Sequence, residues 1–372
     1  MRLALGLARR GCGTTTPNPM VGAVLVKAGN IIGRGWHRRA GGPHAEIEAL
    51  RDAEKSGHAP RGATLYVTLE PCCTHGRTPP CTEAILMAGI KRVVIGATDP
   101  NPNHAGRAFQ ILKCAGIEVL PGVLAQACSR MNEAFNHWIV HRTPFVTVKA
   151  AMTLDGKIAT ADGESKWITG EPARAYGQKL RQGSDAILVG VNTVLADDPS
   201  LTARVGRGSK AKVPSLRMRR IILDSRARTP LTAKVVSDEF ATLTTLVVSQ
   251  QAPKARVAAL AKRVRVIVAP AGRSRSAGSN RISLRWLLRK LGAENVTSLL
   301  VEGGGEVNAS FLLEGFAQRV AFFYAPKILG GRASRKAVAG DGVGSLSEAR
   351  QLRETVWRKL GADLLLTAKV AS

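Results

Sequence analysis

The chain has 372 residues, is 45% hydrophobic and carries a formal net charge of +27 at pH 7. That length suits roughly two or three domains, and the apolar content is ample for real cores, which excludes a disordered chain. No run approaches the ~20 apolar residues that span a bilayer, and the apolar stretch in "MRLALGLARR" is too short for a signal-peptide core, so the expectation is a cytoplasmic protein with no membrane partner.

In chain order, "LALGLARR" spaces its apolar residues like a helix. "VGAVLV" and "NIIGRGWH" predict two strands around the turn "KAGN", and "HAEIEALRDAEKSG" predicts a helix closed by Gly57. A strand "ATLYVTLE", a helix "CTEAILMAGI", a strand "RVVIGATD" and a helix running into a strand, "GRAFQILKCAGIEV", follow. This alternation predicts an open α/β sheet with helices on its faces. After "RTPFVTVKAAM" a second series begins, through "DAILVG", "RRIILD", "TTLVVS", "RVRVIVA", "SLRWLLRKLGA", "SLLVEGGG" and "AFFYAPKIL", so a domain boundary is expected near Arg142 to Phe145. "VGRGSKAKVPSLRM" and "APAGRSRSAGSNRI" are rich in Gly, Ser and Arg and read as exposed loops.

The positive charge is lopsided. Between Val205 and Arg285 there are 18 Lys and Arg against 3 Asp and Glu, a net of +15. Phe240 is the only aromatic residue in that stretch, which leaves little on which to stack bases. The region reads as a solvated basic face, with a phosphorylated small substrate or cofactor as the competing reading, and nucleic acid is not expected as a partner.

In a reducing compartment the six cysteines do not make a disulfide framework. Three of them fall in "PCCTHGRTPPC", Pro71 to Cys81, one βα unit after "PHAE" at Pro43 to Glu46. A catalytic zinc takes three protein ligands and leaves a position for water, and His44, Cys72 and Cys81 supply such a set. Glu46, two residues after the histidine, can reach a bound water without ligating the metal, as a proton shuttle must. The usual zinc-deaminase pattern is His-x-Glu followed by Pro-Cys-x-x-Cys. Here Cys72 and Cys73 are adjacent and the next cysteine stands nine positions after Cys72. Cys73 reads as a spectator, and His75 is left out because a fourth protein ligand would close the water position. Cys12, Cys114 and Cys128 read as buried small apolar residues.

These motifs, with "TPNPMVGAVLV", "GGPHAEIEAL", "VTLEPCCTHGRTPPC", "MTLDGKIAT", "ESKWITG", "ILVGVNTVLADDPSLTAR" and "LLVEGGGEVNASF", make nearly the whole chain resemble the bifunctional deaminase/reductase family of riboflavin biosynthesis. The resemblance implies an α/β architecture in two parts. Residues 1–143 would form a cytidine-deaminase-like three-layer, zinc-dependent pyrimidine deaminase domain. Residues 144–372 would form a dihydrofolate-reductase-like, NADPH-dependent reductase domain, and no Rossmann G-x-G-x-x-G follows a strand. It implies zinc on His44, Cys72 and Cys81, Glu46 as catalytic proton shuttle, and Asn18 and His37 at the substrate. In the second domain it implies that Ala151, Trp167, Thr193, Asp197, Ser225, Gly303, Gly304 and Gly305 line the NADPH, while Ser165, Arg181, Leu201, Arg204 and Glu302 face the substrate. The expected activity is deamination of a phosphoribosylated diaminopyrimidine followed by reduction of its ribosyl group to ribityl, in a homo-oligomer. The competing readings are a nucleic-acid or nucleoside deaminase with an accessory domain, and a non-catalytic basic RNA-binding protein. The first would bring a short Pro-Cys-x-x-Cys and stacking aromatics, the second a broken ligand set, and neither is present.

Overall fold

The computed structural model describes residues 1–75, 79–203, 218–272 and 281–371. Arg204, the insert at 76–78 and most of the two Gly/Ser/Arg-rich stretches (205–217 and 273–280) lie outside these residues. The chain divides into two compact units, Met1–Thr143 and Pro144–Ser372. Among the described residues no helix is long and apolar enough to cross a membrane.

The first unit is a five-stranded sheet of β1 (Gly22–Lys27), β2 (Asn30–Trp36), β3 (Thr64–Leu69), β4 (Arg92–Ala97) and β5 (Glu118–Leu120), in the order β2-β1-β3-β4-β5. β1 runs antiparallel to β2 and β3, and β3, β4 and β5 are parallel. Period-two alternation sends Ala23 and Leu25 of β1 to one face, where they meet Ala49 and Ala53 of the helix Ala45–Lys55, Ile85 of the helix Cys81–Met87 and Leu112 of the helix Arg107–Cys114. Val24 points to the other face, against Ala4 and Leu7 of the helix Arg2–Ala8. Helices therefore cover both faces of the sheet. The helices Ala125–Met131 and Glu133–His141 complete the unit and carry too few regularly spaced apolar residues to be foreseen.

The second unit comprises β6 (Phe145–Thr153), β7 (Lys157–Ala159), β8 (Ala186–Gly190), β9 (Arg219–Leu223), β10 (Thr244–Ser249), β11 (Arg265–Ala269), β12 (Ser298–Val301), β13 (Arg319–Ala325), β14 (Arg335–Lys336), β15 (Leu352–Leu360) and β16 (Asp363–Val370). Nine of them form one sheet in the order β11-β10-β9-β8-β12-β6-β13-β16-β15, and β7 pairs with β14 separately. The sheet is parallel from β11 to β13, and its closing hairpin β15–β16 is antiparallel. A parallel strand covered on both faces needs an unbroken apolar run, and every residue of β8, "AILVG", is buried. Ile187 and Val189 pack on one side with Ile222 and Val248, while Leu188 packs on the other with Leu299 and Phe311.

Close packing of β2 depends on its glycines. A Cβ at Gly35 would run into the Ala45 carbonyl and the Ala49 amide, so the helix Ala45–Lys55, which has His44 at its N-cap, lies against bare backbone. Gly35→Ala is expected to lower stability by about 1–3 kcal/mol through overpacking. It should also lower zinc content by displacing His44. A thermal melt and a metal assay check both, and an unchanged protein would show that the helix shifts without cost.

Candidate active sites

In the first unit three chain segments meet. His44 sits at the N-cap of the helix Ala45–Lys55, in an extended backbone conformation, and its side chain makes no capping hydrogen bond. Cys72 follows β3, and Cys81 opens the helix Cys81–Met87, N-capped by Pro80. The His44 Nδ1 lies 3.5 Å from the Cys72 Sγ and 3.3 Å from the Cys81 Sγ. The Cys81 amide donates to the Cys72 sulfur at 3.2 Å. The three donor atoms fall within 4.8 Å of one another. Zinc bonds of about 2.3 Å to sulfur and 2.0–2.1 Å to nitrogen put tetrahedral sulfur and nitrogen about 3.6 Å apart, so the set fits a zinc ion. Two thiols and an imidazole suit a borderline-soft cation.

Electrostatics point the same way. Hydrogen bonding from Cys81 outweighs burial and holds the Cys72 thiol down to about 4, while the same bond pushes Cys81 up. The bond to Cys72 pushes His44 up to about 9. Glu46, in the first turn of the helix, is 3% exposed, hydrogen-bonds the Cys81 thiol and has its pKa raised by burial. A buried carboxyl that takes up a proton readily is the property a shuttle needs.

Cys73 turns aside and meets the His104 Nδ1 at 3.4 Å. His75 is exposed and pairs with Glu83 at 3.0 Å. Cys128 is buried, but Cys12 and Cys114 are exposed, which corrects the expectation that all three pack in the interior. His37 donates through Nδ1 to the Pro43 carbonyl at 2.9 Å and accepts at Nε2 from the Asn18 amide at 3.1 Å. Burial lowers its pKa, which favours this neutral tautomer, and its ring stands 5.5 Å from that of His44. Sequence reasoning missed Glu70, which follows β3. Its buried carboxylate accepts from the amides of Asp99, Gly106 and Ala108 and so fixes the loop that carries His104.

In the second unit a cleft of about 930 Å³ runs along the ends of β8, β9 and β12. Thr193, Asp197, Gly304, Gly305 and Ser165 line it, together with Asn192, Leu223, Glu306, Arg335 and Lys336, which were not foreseen. Side chains at Gly303 and Gly305 would collide with Val307 and with the Lys336 carbonyl, whereas Gly304 faces open space. The backbone can therefore approach a ligand at Gly304, beside the N-terminus of the helix Gly305–Leu313, as a dinucleotide diphosphate requires. Ser165 donates to Asp197 at 3.3 Å. Ala151 lies on β6, Ser225 just past β9, and Trp167 is 65% exposed under the Arg174 guanidinium, and none of these three lines the cleft.

Glu302, at the end of β12, is gripped by the Arg181 fork at 2.8 and 2.9 Å and by Lys149 at 3.5 Å. Arg181 also donates to the Thr202 carbonyl, so its guanidinium is engaged by protein and not open to a phosphate. Leu201 has positive φ and a buried side chain, which leaves only its backbone to meet a ligand. Lys149 was missed, although a lone lysine inside "FVTVKAAM" was its signal.

The family model described as RibD C-terminal domain matches residues 144–366, and the cytidine and deoxycytidylate deaminase zinc-binding region matches residues 1–97. The riboflavin biosynthesis protein RibD of Actinobacillus pleuropneumoniae is 43% identical, over 100% of this chain and 95% of its own. The chain belongs to the RibD family. The Aquifex aeolicus RibD is 44% identical over 99% of this chain and 97% of its own. A solved structure of Acinetobacter baumannii RibD superposes with a TM-score of 0.85 at 36% identity, covering 100% of this chain and 98% of that one. A Thermotoga maritima structure, named as diaminohydroxyphosphoribosylaminopyrimidine deaminase/5-amino-6-(5-phosphoribosylamino)uracil reductase, matches at 36% identity and a TM-score of 0.82, covering 100% and 97%. As a RibD family member the chain is a bifunctional enzyme of riboflavin biosynthesis, a zinc deaminase and an NADPH-dependent reductase, with a cytidine-deaminase-like and a dihydrofolate-reductase-like fold.

Two predictions follow from this geometry. Cys72→Ser and Cys81→Ser should lose zinc while Cys73→Ser retains it, measured as metal per chain, and the reverse pattern would displace the ligand set. In the second unit, burial pushes the Glu302 carboxyl up, but Lys149 and Arg181 outweigh it and hold it at about 2. A depressed carboxyl contributes stability that is present above its unfolded value near 4.5 and is lost as pH falls toward 2. Acid unfolding followed by circular dichroism should therefore be shallower in Glu302→Gln than in the wild type. At neutral pH that variant should be weaker by about 3–5 kcal/mol, because Arg181 is left unpaired.

Proposed function

We propose that residues 1–143 deaminate 2,5-diamino-6-(5-phosphoribosylamino)pyrimidin-4-one and that residues 144–372 reduce the product's ribosyl group, giving 5-amino-6-(5-phosphoribitylamino)uracil. The observation that carries this reading is the buried His44, Cys72 and Cys81 set with Glu46 against it, in a chain whose other unit has an open-glycine cleft beside a buried charge cluster. His44, Cys72 and Cys81 would hold the zinc, which would supply an activated water for attack on the amino-bearing ring carbon. Glu46 takes a proton from the attacking water and delivers it to the departing amino group, which leaves as ammonia. Asn18 and neutral His37 orient the pyrimidine beside His44.

Bound NADPH would supply the hydride that reduces the anomeric carbon, with a proton going to the ring oxygen released there. Thr193, Asp197 and Gly303 to Gly305 seat the cofactor, with Ala151, Trp167 and Ser225 at its margins. Ser165 and Glu302 face the substrate. Arg181 acts there by positioning Glu302, Leu201 through its backbone, and Arg204 belongs to the same set outside the described residues. The partner is a phosphorylated small molecule and not nucleic acid. In this reading the enzyme works in the cytoplasm as a homo-oligomer, and the exposed strand β15, with Val356 and Trp357 uncovered, offers a surface for self-association.

Glu46→Gln should keep its zinc and lose about 10²–10⁴ in ammonia release. Supplied with the already deaminated substrate, the same variant should still oxidise NADPH, while Glu302→Gln should not. Loss of reduction in both variants would show that the two activities are not separable along this division, and near wild-type ammonia release by Glu46→Gln would remove Glu46 from the mechanism.

A further inference from the structure

In the second unit Glu302, paired with Arg181 and Lys149 at the end of β12, stands two residues before Gly304, which lines the cleft. From β12 the sheet steps through β8 to β9, where Gly190 at the end of β8 pairs in register with Leu223 at the end of β9. Two strand spacings cover about 10 Å. A ligand laid over these strand ends with its reacting group near Glu302 therefore puts its other end at β9, where Leu223 and Asn192 line the cleft.

The turn after Leu223 reads Asp224, Ser225, Arg226, Ala227, Arg228. It is held from several sides. Buried Asp224 accepts from the amide and the hydroxyl of Thr229, both at 2.7 Å. The Ser249 hydroxyl donates to the Ser225 carbonyl at 2.7 Å, and Arg256 donates to the carbonyls of Ala227 and Thr229 at 3.1 and 2.7 Å. Arg228 donates to the Asn192 Oδ1 at 2.7 Å, which ties its guanidinium to the cleft wall and uses only part of its five-donor fork. Arg226 and Arg228 are both exposed, and among the described residues neither has a carboxylate in an ion pair. Two guanidiniums on a braced turn, with no acidic partner, are suited to a phosphate monoester, which accepts forked, charge-assisted hydrogen bonds.

We infer that Arg226 and Arg228 hold the 2′-phosphate of NADPH and set its preference over NADH. The inference rests on the reading of this cleft as the cofactor site. The cations that line the cleft, Arg335 and Lys336, occupy a different place. They stand on β14 against the glycine turn, where the Lys336 carbonyl closes the space beside Gly305 and the Ala339 amide donates to the Gly305 carbonyl at 3.1 Å. That position serves the internal diphosphate at the helix N-terminus. The two cation pairs thus divide between the two kinds of phosphate that NADPH carries.

The test is isothermal titration of the full-length protein with 2′,5′-ADP and 5′-AMP, which differ only in the 2′-phosphate, and with NADP⁺ and NAD⁺. Arg226→Gln and Arg228→Gln should each weaken 2′,5′-ADP by about 10- to 100-fold and leave 5′-AMP unchanged. Arg335→Gln should weaken NADP⁺ and NAD⁺ alike. A preference for 2′,5′-ADP that survives the double substitution Arg226→Gln/Arg228→Gln, or one that disappears in Arg335→Gln instead, would overturn the assignment. If the wild type binds none of the four ligands, the cofactor reading of the cleft fails as well.

Discussion

Three electron-pair donors are held within 4.8 Å of one another in the first unit, largely out of water, and much of that unit is arranged to keep them there. Without a cation the cluster is costly, because thiolate character at Cys72 must be matched by protons on His44 and Cys81 in a medium that solvates charge poorly. A divalent cation replaces those protons and removes the conflict. The neighbouring backbone follows from the same need. His44 reaches the cluster because the helix behind it lies directly on Gly35, and Cys81 because Pro80 opens a new helix there. The loop on the far side is pinned by the three amides that Glu70 binds.

The second unit solves an analogous problem with fixed charges. Glu302 is buried at the end of a parallel strand, where an isolated carboxylate would take up a proton. Two cations from β6 and from the helix Glu171–Gln182 keep it ionised. Three glycines follow it in sequence, so charge and open backbone sit side by side. Parallel β-sheets place such features together because every strand of the run ends on the same edge.

The candidate metal set, whose donor atoms the structure brings within 4.8 Å of one another, was legible because its chemistry is local: His-x-Glu and two Pro-Cys steps state donor type and spacing within short segments. The long gap between Cys72 and Cys81 also set this chain apart from other zinc deaminases. Partnerships across the fold were not legible. Arg181 reads as a residue facing the substrate, but its sequence context does not reveal that Glu302, more than a hundred residues away, occupies its fork. Leu201 reads as a contact residue until its positive φ and burial show that only its backbone is available. Most strands of the second unit announced themselves as apolar runs. The β15–β16 hairpin did not, since an edge strand exposed along its length, "LRETVWRKL", has no buried face to impose a period.

The excess of positive charge also has a structural outlet that composition conceals. The stretch between Val205 and Arg285 reads as a solvated basic face, yet Arg220 is 1% exposed and donates to Asp238, to Thr244 and to the carbonyls of Ser200 and Val235. Arg256 and Arg263 likewise end on loop carbonyls, as does Arg174 elsewhere in the unit, while Arg350 ends on a helix C-terminal carbonyl, that of Leu313. Loops leave carbonyl oxygens without ladder partners, and a guanidinium satisfies several at once where lysine could not do so in a fixed plane. Arginine therefore braces the connections around the cleft, and the net charge of +27 overstates the cation surface open to a partner. Among the described residues the cations lining the cleft are Arg335 and Lys336, with Arg228 tied to its wall through Asn192, on a scale that suits the phosphates of a dinucleotide better than the backbone of a nucleic acid.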